Sequence, residues 1–367
     1  MLPVMRSASK VNGIVFIAML AGMFIYSLPA VFNFARTQPH GVGLFVDGKL
    51  LRQFETFYDK GLFLRDFSVR QWANLQYLVF HEGSSGAVFG REGWLFSNQE
   101  YLIPNDLDAN VANQLAQIAE VRDSLAAKGK RLIVLPVPMK LDIQRDYLQD
   151  QPEPEVFTLH DEFVAALKEQ QIAFSDVRAA FVEAAEEQDL YVRNDTHWSP
   201  AGARLAAVEF ARQYPELHGS RHYASSVIGD KAVKGDLVNF LNFDPGLQPQ
   251  YFAPVTITLY ETVDSQRGNA AEALFGEVSQ SLMLVGTSYS RIDDWNFVGF
   301  LKEALQSDLL SVSVEAKGPF HAMEEFVASD AFNDPVLTTV VWEFPLRTLL
   351  AQRTTVRDVS KQNATLF

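Results

Sequence analysis

Apolar residues along this chain follow two spacings in turn, and that alternation sets the expected architecture. Between residues 110 and 128, Val111, Leu115, Ile118, Val121 and Leu125 recur on one helical face, and Gly129 supplies a stop. The run from Arg131 to Val137 is apolar throughout its interior, as in a strand covered on both faces of a parallel sheet. Helical spacing returns at 158–171, a short strand at 172–177, helix at 178–188, and a further helix from Pro200 to about Tyr214. From Ser281 the same order resumes: an apolar strand ending in Gly286-Thr287-Ser288, helix 295–305, strand 309–314, helix 322–332 and strand 336–342. Such alternation predicts an α/β fold around a parallel sheet. Residues 215–280 break the rhythm. They carry few helical stripes, and Val255-Thr256-Ile257-Thr258-Leu259-Tyr260 alternates with period two, which predicts an accessory β insertion.

Upstream, Phe54, Phe57 and Tyr58 and then Trp72, Leu75, Leu78 and Val79 sit at helical spacing, and both stripes read as core. Gly83, Gly86, Gly90 and Gly93 lack the Lys and Ser/Thr of a phosphate loop, so they read as turns around short strands, with Gly93-Trp94-Leu95-Phe96 a buried one. Residues 11–35 contain no charge, and Gly13 to Phe34 is long and apolar enough to cross a bilayer. Arg6 and Lys10 precede it, which places the amino terminus in the cytoplasm and the rest of the chain beyond the inner membrane. Leu28-Pro29-Ala30 is a poor peptidase site, so 1–35 reads as an uncleaved signal anchor, followed by one domain over 36–353 and a polar tail over 354–367.

Composition then narrows the chemistry. There is no cysteine among the 367 residues, hence no disulfide and no thiolate chemistry. Removing Arg6 and Lys10 from the 31 basic residues leaves 29 against 45 acidic ones, about −16 on the exported part, which argues against nucleic acid as a partner. The seven histidines show no H-E-x-x-H or comparable metal spacing, and no cofactor is expected.

Two stretches carry candidate chemistry. In Tyr191-Val192-Arg193-Asn194-Asp195-Thr196-His197-Trp198-Ser199-Pro200, Asp195 and His197 are two apart and project to one side of an extended backbone. An aspartate there can hold Nδ1–H and leave Nε2 free as a base. Ser199 as N-cap and Pro200 at the first helical position then start a helix. The competing readings are a hydrogen-bonded pair that merely fixes a loop, and an Asp-x-His metal site. In Leu282-Met283-Leu284-Val285-Gly286-Thr287-Ser288, a strand ends in a glycine turn that exposes a serine, the layout of a strand-end nucleophile. An ordinary capping serine has the same pattern. Ser290, two residues on, reads as a polar or capping residue.

Asp195-Thr196-His197-Trp198, Gly286-Thr287-Ser288-Tyr289-Ser290, Gly90-Arg91-Glu92-Gly93-Trp94-Leu95-Phe96 and Val341-Trp342-Glu343-Phe344-Pro345, in this order of function, resemble the bacterial alginate O-acetylation proteins of the AlgJ/AlgX type, in the SGNH hydrolase-like superfamily. The similarity spans roughly residues 40–350. It implies a flavodoxin-like three-layer parallel sheet, with the histidine block ahead of the serine strand as in a circular permutant. It also implies an exported acetyltransferase with Asp195, His197 and Ser288 as its triad. The oxyanion would be held by Ser288 and Gly318. The asparagine that usually follows the last strand is replaced by Trp342-Glu343-Phe344-Pro345-Leu346-Arg347, so Asn296 or Arg347 is expected to substitute. The implied acceptor is an anionic polysaccharide, mannuronate residues of alginate. The acetyl donor would arrive through a membrane-bound acetyltransferase, and other alginate acetylation and export proteins would be partners. Lys140, Arg291 and Lys317, with Arg347, are the cations expected to offset the acidic field. An acetylesterase with the same triad, and a non-catalytic scaffold of an export complex, are the alternatives.

Overall fold

The computed structural model describes residues 4–37, 41–61, 65–80, 86–265, 281–315 and 318–351. Its contacts divide the chain into two compact units, 1–75 and 76–367, so residues 41–75 group with the apolar helix. In the first unit one helix, Val4–Thr37, contains a 28-residue stretch, Lys10–Thr37, long and apolar enough to cross a membrane. Helices Gly41–Val46, Leu50–Gly61 and Arg65–Leu75 follow. The first aromatic stripe is packed but not core: Phe34 packs on Phe54 and Phe57 at ring separations of 5.4 and 5.5 Å and Tyr58 shares a 2.7 Å hydrogen bond with Ser27, yet Phe57 is exposed and Phe54 and Tyr58 are only half-buried. The second stripe is not core either, because Trp72, Leu75, Leu78 and Val79 are all exposed. From Gln76 to Phe80, at the start of the second unit, the backbone winds as a π-helix.

The first strands of the second unit are a small antiparallel pair, β1 (Ala87–Phe89) and β2 (Leu95–Ser97). Trp94, Leu95 and Phe96 are fully buried, as their unbroken apolar run predicts. Gly83 and residues 266–280 lie outside the described residues. The remaining strands are β3 (Arg131–Val137), β4 (Ala173–Phe174), β5 (Tyr223–Val233), β6 (Val255–Asp264), β7 (Leu282–Gly286), β8 (Leu310–Ser313) and β9 (Thr339–Pro345). Five of them form one parallel sheet in the order β4-β3-β9-β7-β8. Every residue of β7 and β9 is buried, which is why their sequences show no alternation. Helix Leu107–Ala126 packs on β3, and Pro200–Gln213 packs against Phe297–Leu305. The accessory insertion is a long hairpin, β5 with β6, seated on helix Phe297–Leu305 through Tyr260 and Phe300 at 5.3 Å. A parallel sheet presents its loops for chemistry at the carboxyl ends of its strands, and Lys140, Ser288 and Arg347 follow β3, β7 and β9 there.

Candidate active site

Ser288 is the first residue of a short helix, Ser288–Arg291, that leaves β7 through Gly286-Thr287. Thr287 caps that helix, its hydroxyl accepting from the Tyr289 N–H. The histidine arrives from a loop closed by a bridge between Tyr191 and Trp198 and by the Ser199 cap of helix Pro200–Gln213. Within the loop, Val192 N–H donates to the His197 carbonyl and Asp195 N–H to the Val192 carbonyl. The two stretches, 91 residues apart in sequence, meet at a 2.7 Å hydrogen bond between Ser288 Oγ and His197 Nε2.

On the far side of the ring, His197 Nδ1 lies 2.6 Å from Asp195 Oδ1, which also accepts the His197 N–H at 2.9 Å. An acceptor-only carboxylate on Nδ1 selects the tautomer whose Nε2 can take the serine proton. Burial pushes the Asp195 carboxyl up, but its bonds from His197 and from the Asp236 N–H outweigh burial and hold it at about 2. The ring is walled by Tyr289 at 4.8 Å and by Trp295, nearly parallel to it at 5.7 Å.

A second carboxylate stands beside the first. Asp236, just past β5, donates its N–H to Asp195 Oδ2 at 2.9 Å. Its own carboxylate accepts the Thr196 N–H at 2.7 Å and the Thr196 hydroxyl at 2.6 Å, and lies 3.9 Å from His197 Nδ1. Burial and the neighbouring Asp195 charge both raise the Asp236 carboxyl. Gly235 makes the approach possible: at φ +82°, a Cβ there would sit 2.1 Å from the Asn194 carbonyl oxygen. Asp195, His197 and Asp236 offer ligand atoms within 4.8 Å of one another, the one such group among the described residues, yet these atoms are already bonded to each other and to Thr196.

The other expected site residues fall differently. Lys140 is only 1% exposed and does not face a substrate. Its ammonium donates to the carbonyls of Leu95, Val192, Arg193 and Asp195 at 2.7–2.9 Å and lies over the Trp94 and Phe96 rings. Burial pushes that ammonium down, toward about 7, while Glu100, Asp195 and Asp236 oppose the shift. Four carbonyls and two ring faces all favour the charged form, so we assign Lys140 as the cation that ties β2 to the histidine loop. Arg347 also turns inward, donating to the Tyr289 hydroxyl at 2.5 Å, while that hydroxyl donates to the Thr196 carbonyl. It braces the serine turn against the histidine loop, its hydrogen bonds going to the Tyr289 hydroxyl and the Thr196 carbonyl. Asn296 donates to the Thr262 hydroxyl of β6 at 3.0 Å, so its amide is engaged away from the nucleophile. Gly318 is exposed, at φ +76°, and starts helix Pro319–Val327. Arg291 is exposed and bonds Glu315 and the Ser313 carbonyl. Lys317 lies outside the described residues.

Sequence reasoning missed Asp236 and gave Glu343 no role. Nothing local marks Asp236, whose partners are 40 and 41 residues away. Glu343 did leave a signal, a lone acid inside the apolar run Val340-Val341-Trp342-Glu343-Phe344.

Comparison with known proteins fits this geometry. Residues 87–346 match a family model described as an SGNH hydrolase-like domain, acetyltransferase AlgX. A probable alginate O-acetylase AlgJ of Pseudomonas putida is 34% identical over 341 residues, covering 91% of this chain and 88% of the relative. Its Pseudomonas aeruginosa counterpart is 32% identical, covering 90% of this chain and 86% of the relative. The O-acetyltransferase domain of Pseudomonas putida AlgJ superposes with a TM-score of 0.67 at 30% identity, covering 74% of this chain and 95% of that domain. A fully parallel sheet, a serine at the end of β7 and a histidine loop beside it are thus found in a chain that belongs to the AlgJ/AlgX family of SGNH hydrolase-like O-acetyltransferases.

Proposed function

We propose that this protein transfers acetyl groups to hydroxyls of an exported polysaccharide, mannuronate residues of alginate, through an acetyl-serine intermediate on Ser288. The observation that carries the reading is the continuous hydrogen-bonded line from Ser288 Oγ through His197 to Asp195, at 2.7 and 2.6 Å. His197 Nε2 takes the Ser288 proton as Oγ attacks the acetyl carbonyl, and returns it to the leaving group. Asp195 stays ionised and stabilises the imidazolium. The acceptor hydroxyl then gives its proton to His197 and attacks the acetyl-serine carbonyl, and His197 returns that proton to Ser288 Oγ as the acyl bond to serine breaks, which restores the free enzyme. The N–H groups of Ser288 and Gly318 hold the oxyanion in this scheme. Asn296 and Arg347 have no part in it, being engaged with Thr262 and Tyr289. The acetyl donor reaches Ser288 through a membrane-bound acetyltransferase, and other alginate acetylation and export proteins receive the product.

The test is acetyl mapping with an activated acetyl ester, followed by addition of mannuronate oligosaccharide. One acetyl group on the peptide containing Ser288, lost as acetylated oligosaccharide appears, supports the proposal. Release of free acetate with no acetylated sugar makes the protein an esterase. A label on Ser290 removes Ser288 as nucleophile. That last result runs against the geometry, since Ser290 is 5% exposed and its hydroxyl donates to Glu343.

The same reading places residues 40–367 in the periplasm, because Arg6 and Lys10 precede the apolar helix. A phosphatase fused after residue 367 is expected to be active in cells and a cytoplasmic reporter at the same point silent. The opposite pattern removes the exported site.

A further inference from the structure

Glu343 is fully buried on β9, the strand beside the nucleophile strand. Its hydrogen-bond partners all belong to the serine turn. Oε2 accepts the Thr287 N–H at 2.9 Å and the Ser290 hydroxyl at 2.6 Å, and Oε1 accepts the Thr287 hydroxyl at 2.9 Å. The two donor residues flank Ser288 on either side. No basic side chain forms an ion pair with this carboxylate among the described residues. An acid buried without a cation is costly, and burial raises its carboxyl accordingly. Such a group persists where its geometry is needed.

The strand register explains how it reaches the turn. Val285 pairs with Trp342, so the next residues, Gly286 and Glu343, lie side by side as β7 ends. A Cβ on Gly286 would stand 2.4 Å from Ser290 Oγ and 2.7 Å from Glu343 Oε2. The glycine of Gly286-Thr287-Ser288 is therefore the space through which the carboxylate meets Ser290. Both halves of the motif, glycine before and Ser290 after, are accounted for by an acceptor coming from β9.

We infer that Glu343 is a positioning residue for the nucleophile: by accepting from Thr287 and Ser290 together, it fixes the backbone on both sides of Ser288 and so aims Oγ at His197 Nε2. The inference rests on the proposed role of Ser288. A glutamine in its place can keep the arrangement, because its amide oxygen still accepts the Thr287 N–H and its NH2 can donate to a hydroxyl that reverses its own proton. An alanine cannot.

The experiment uses the full chain in detergent, with a fluorophosphonate as serine probe and p-nitrophenyl acetate as acyl donor, each rate taken per folded molecule. E343A is expected to label Ser288 about 100-fold more slowly, the scale of a nucleophile displaced by about 1 Å. Its acetyl-ester kcat should fall in parallel while KM stays near wild type. E343Q is expected within about 5-fold of wild type, the worth of one altered hydrogen bond. S290A and T287V each remove one donor without disturbing β9, and are expected to slow labelling by about 5-fold each. They decide the matter should E343A not fold. Labelling at the wild-type rate in folded E343A, or in both S290A and T287V, overturns the positioning role while leaving Ser288 as nucleophile. E343Q as slow as E343A overturns it too, since hydrogen-bond geometry would then not be what Glu343 supplies. A wild-type protein whose Ser288 takes no label overturns the nucleophile and this inference together.

Discussion

Replacing Ser288 or His197 with alanine should each lower acetyl transfer on the order of 10⁴-fold or more, and the double variant should be little worse than either. The reason is the single proton line between them. Ser288 Oγ is a weak nucleophile until His197 Nε2, 2.7 Å away, accepts its proton. Once either end is gone, the second deletion removes nothing that was still working. Asp195→Asn should be severe as well, because an amide can present NH2 toward Nδ1 and so favour the wrong tautomer. All three variants should remain folded, judged by circular dichroism, since each residue sits in a loop or at an element end. Independent effects that multiply in the double variant would show that Ser288 and His197 do not act as a unit.

The second large effect concerns stability. Lys140→Met should lower the unfolding free energy by about 3–5 kcal/mol and bring transfer activity down with it. The three N–H groups of the ammonium are shared among four carbonyl oxygens, three of them on the loop that carries His197. Methionine fills part of the space but donates nothing, so these buried acceptors lose their partner and the loop loses its tie to Leu95 on β2. Denaturant unfolding of the full chain in detergent measures the change. A variant as stable as wild type would mean that the loop carbonyls find other donors, and that Lys140 is not the tie.

Lys140 also shows where the sequence could and could not be read. The parallel sheet was legible because strands covered on both faces must be apolar throughout, as in 131–137 and 282–286. The hairpin was legible from the period-two stretch at 255–260. Asp195, His197 and Ser288 were legible as candidates because each lies in a local pattern, Ser288 just past β7 and the other two in the loop that leads into helix Pro200–Gln213. Direction was what could not be read. A lysine or arginine just past a strand end can face solvent or fold back, and Lys140 and Arg347 both fold back onto carbonyl and hydroxyl oxygens. The partner of Asn296, Thr262, could not be read either, since it lies on a separate hairpin. The supports of the triad, Asp236 and Glu343, depend on pairings 40 to 56 residues apart that no short motif encodes.

The position of β9 has a consequence for how the protein is made. This strand, the last of the sheet to leave the ribosome, lies in the middle, between β3 and β7. Neither neighbour can complete its hydrogen bonding until residues 339–345 arrive, some two hundred positions after β3 is synthesised. Without that segment the β4-β3 and β7-β8 pairs each have an apolar edge with no partner strand. Contacts so far apart in sequence slow folding and leave those edges open to pairing with other chains. A chain halted shortly before residue 339 lacks more than a terminal strand: β3 and β7 have no link between them, and the loop bearing His197 has no fixed place beside Ser288.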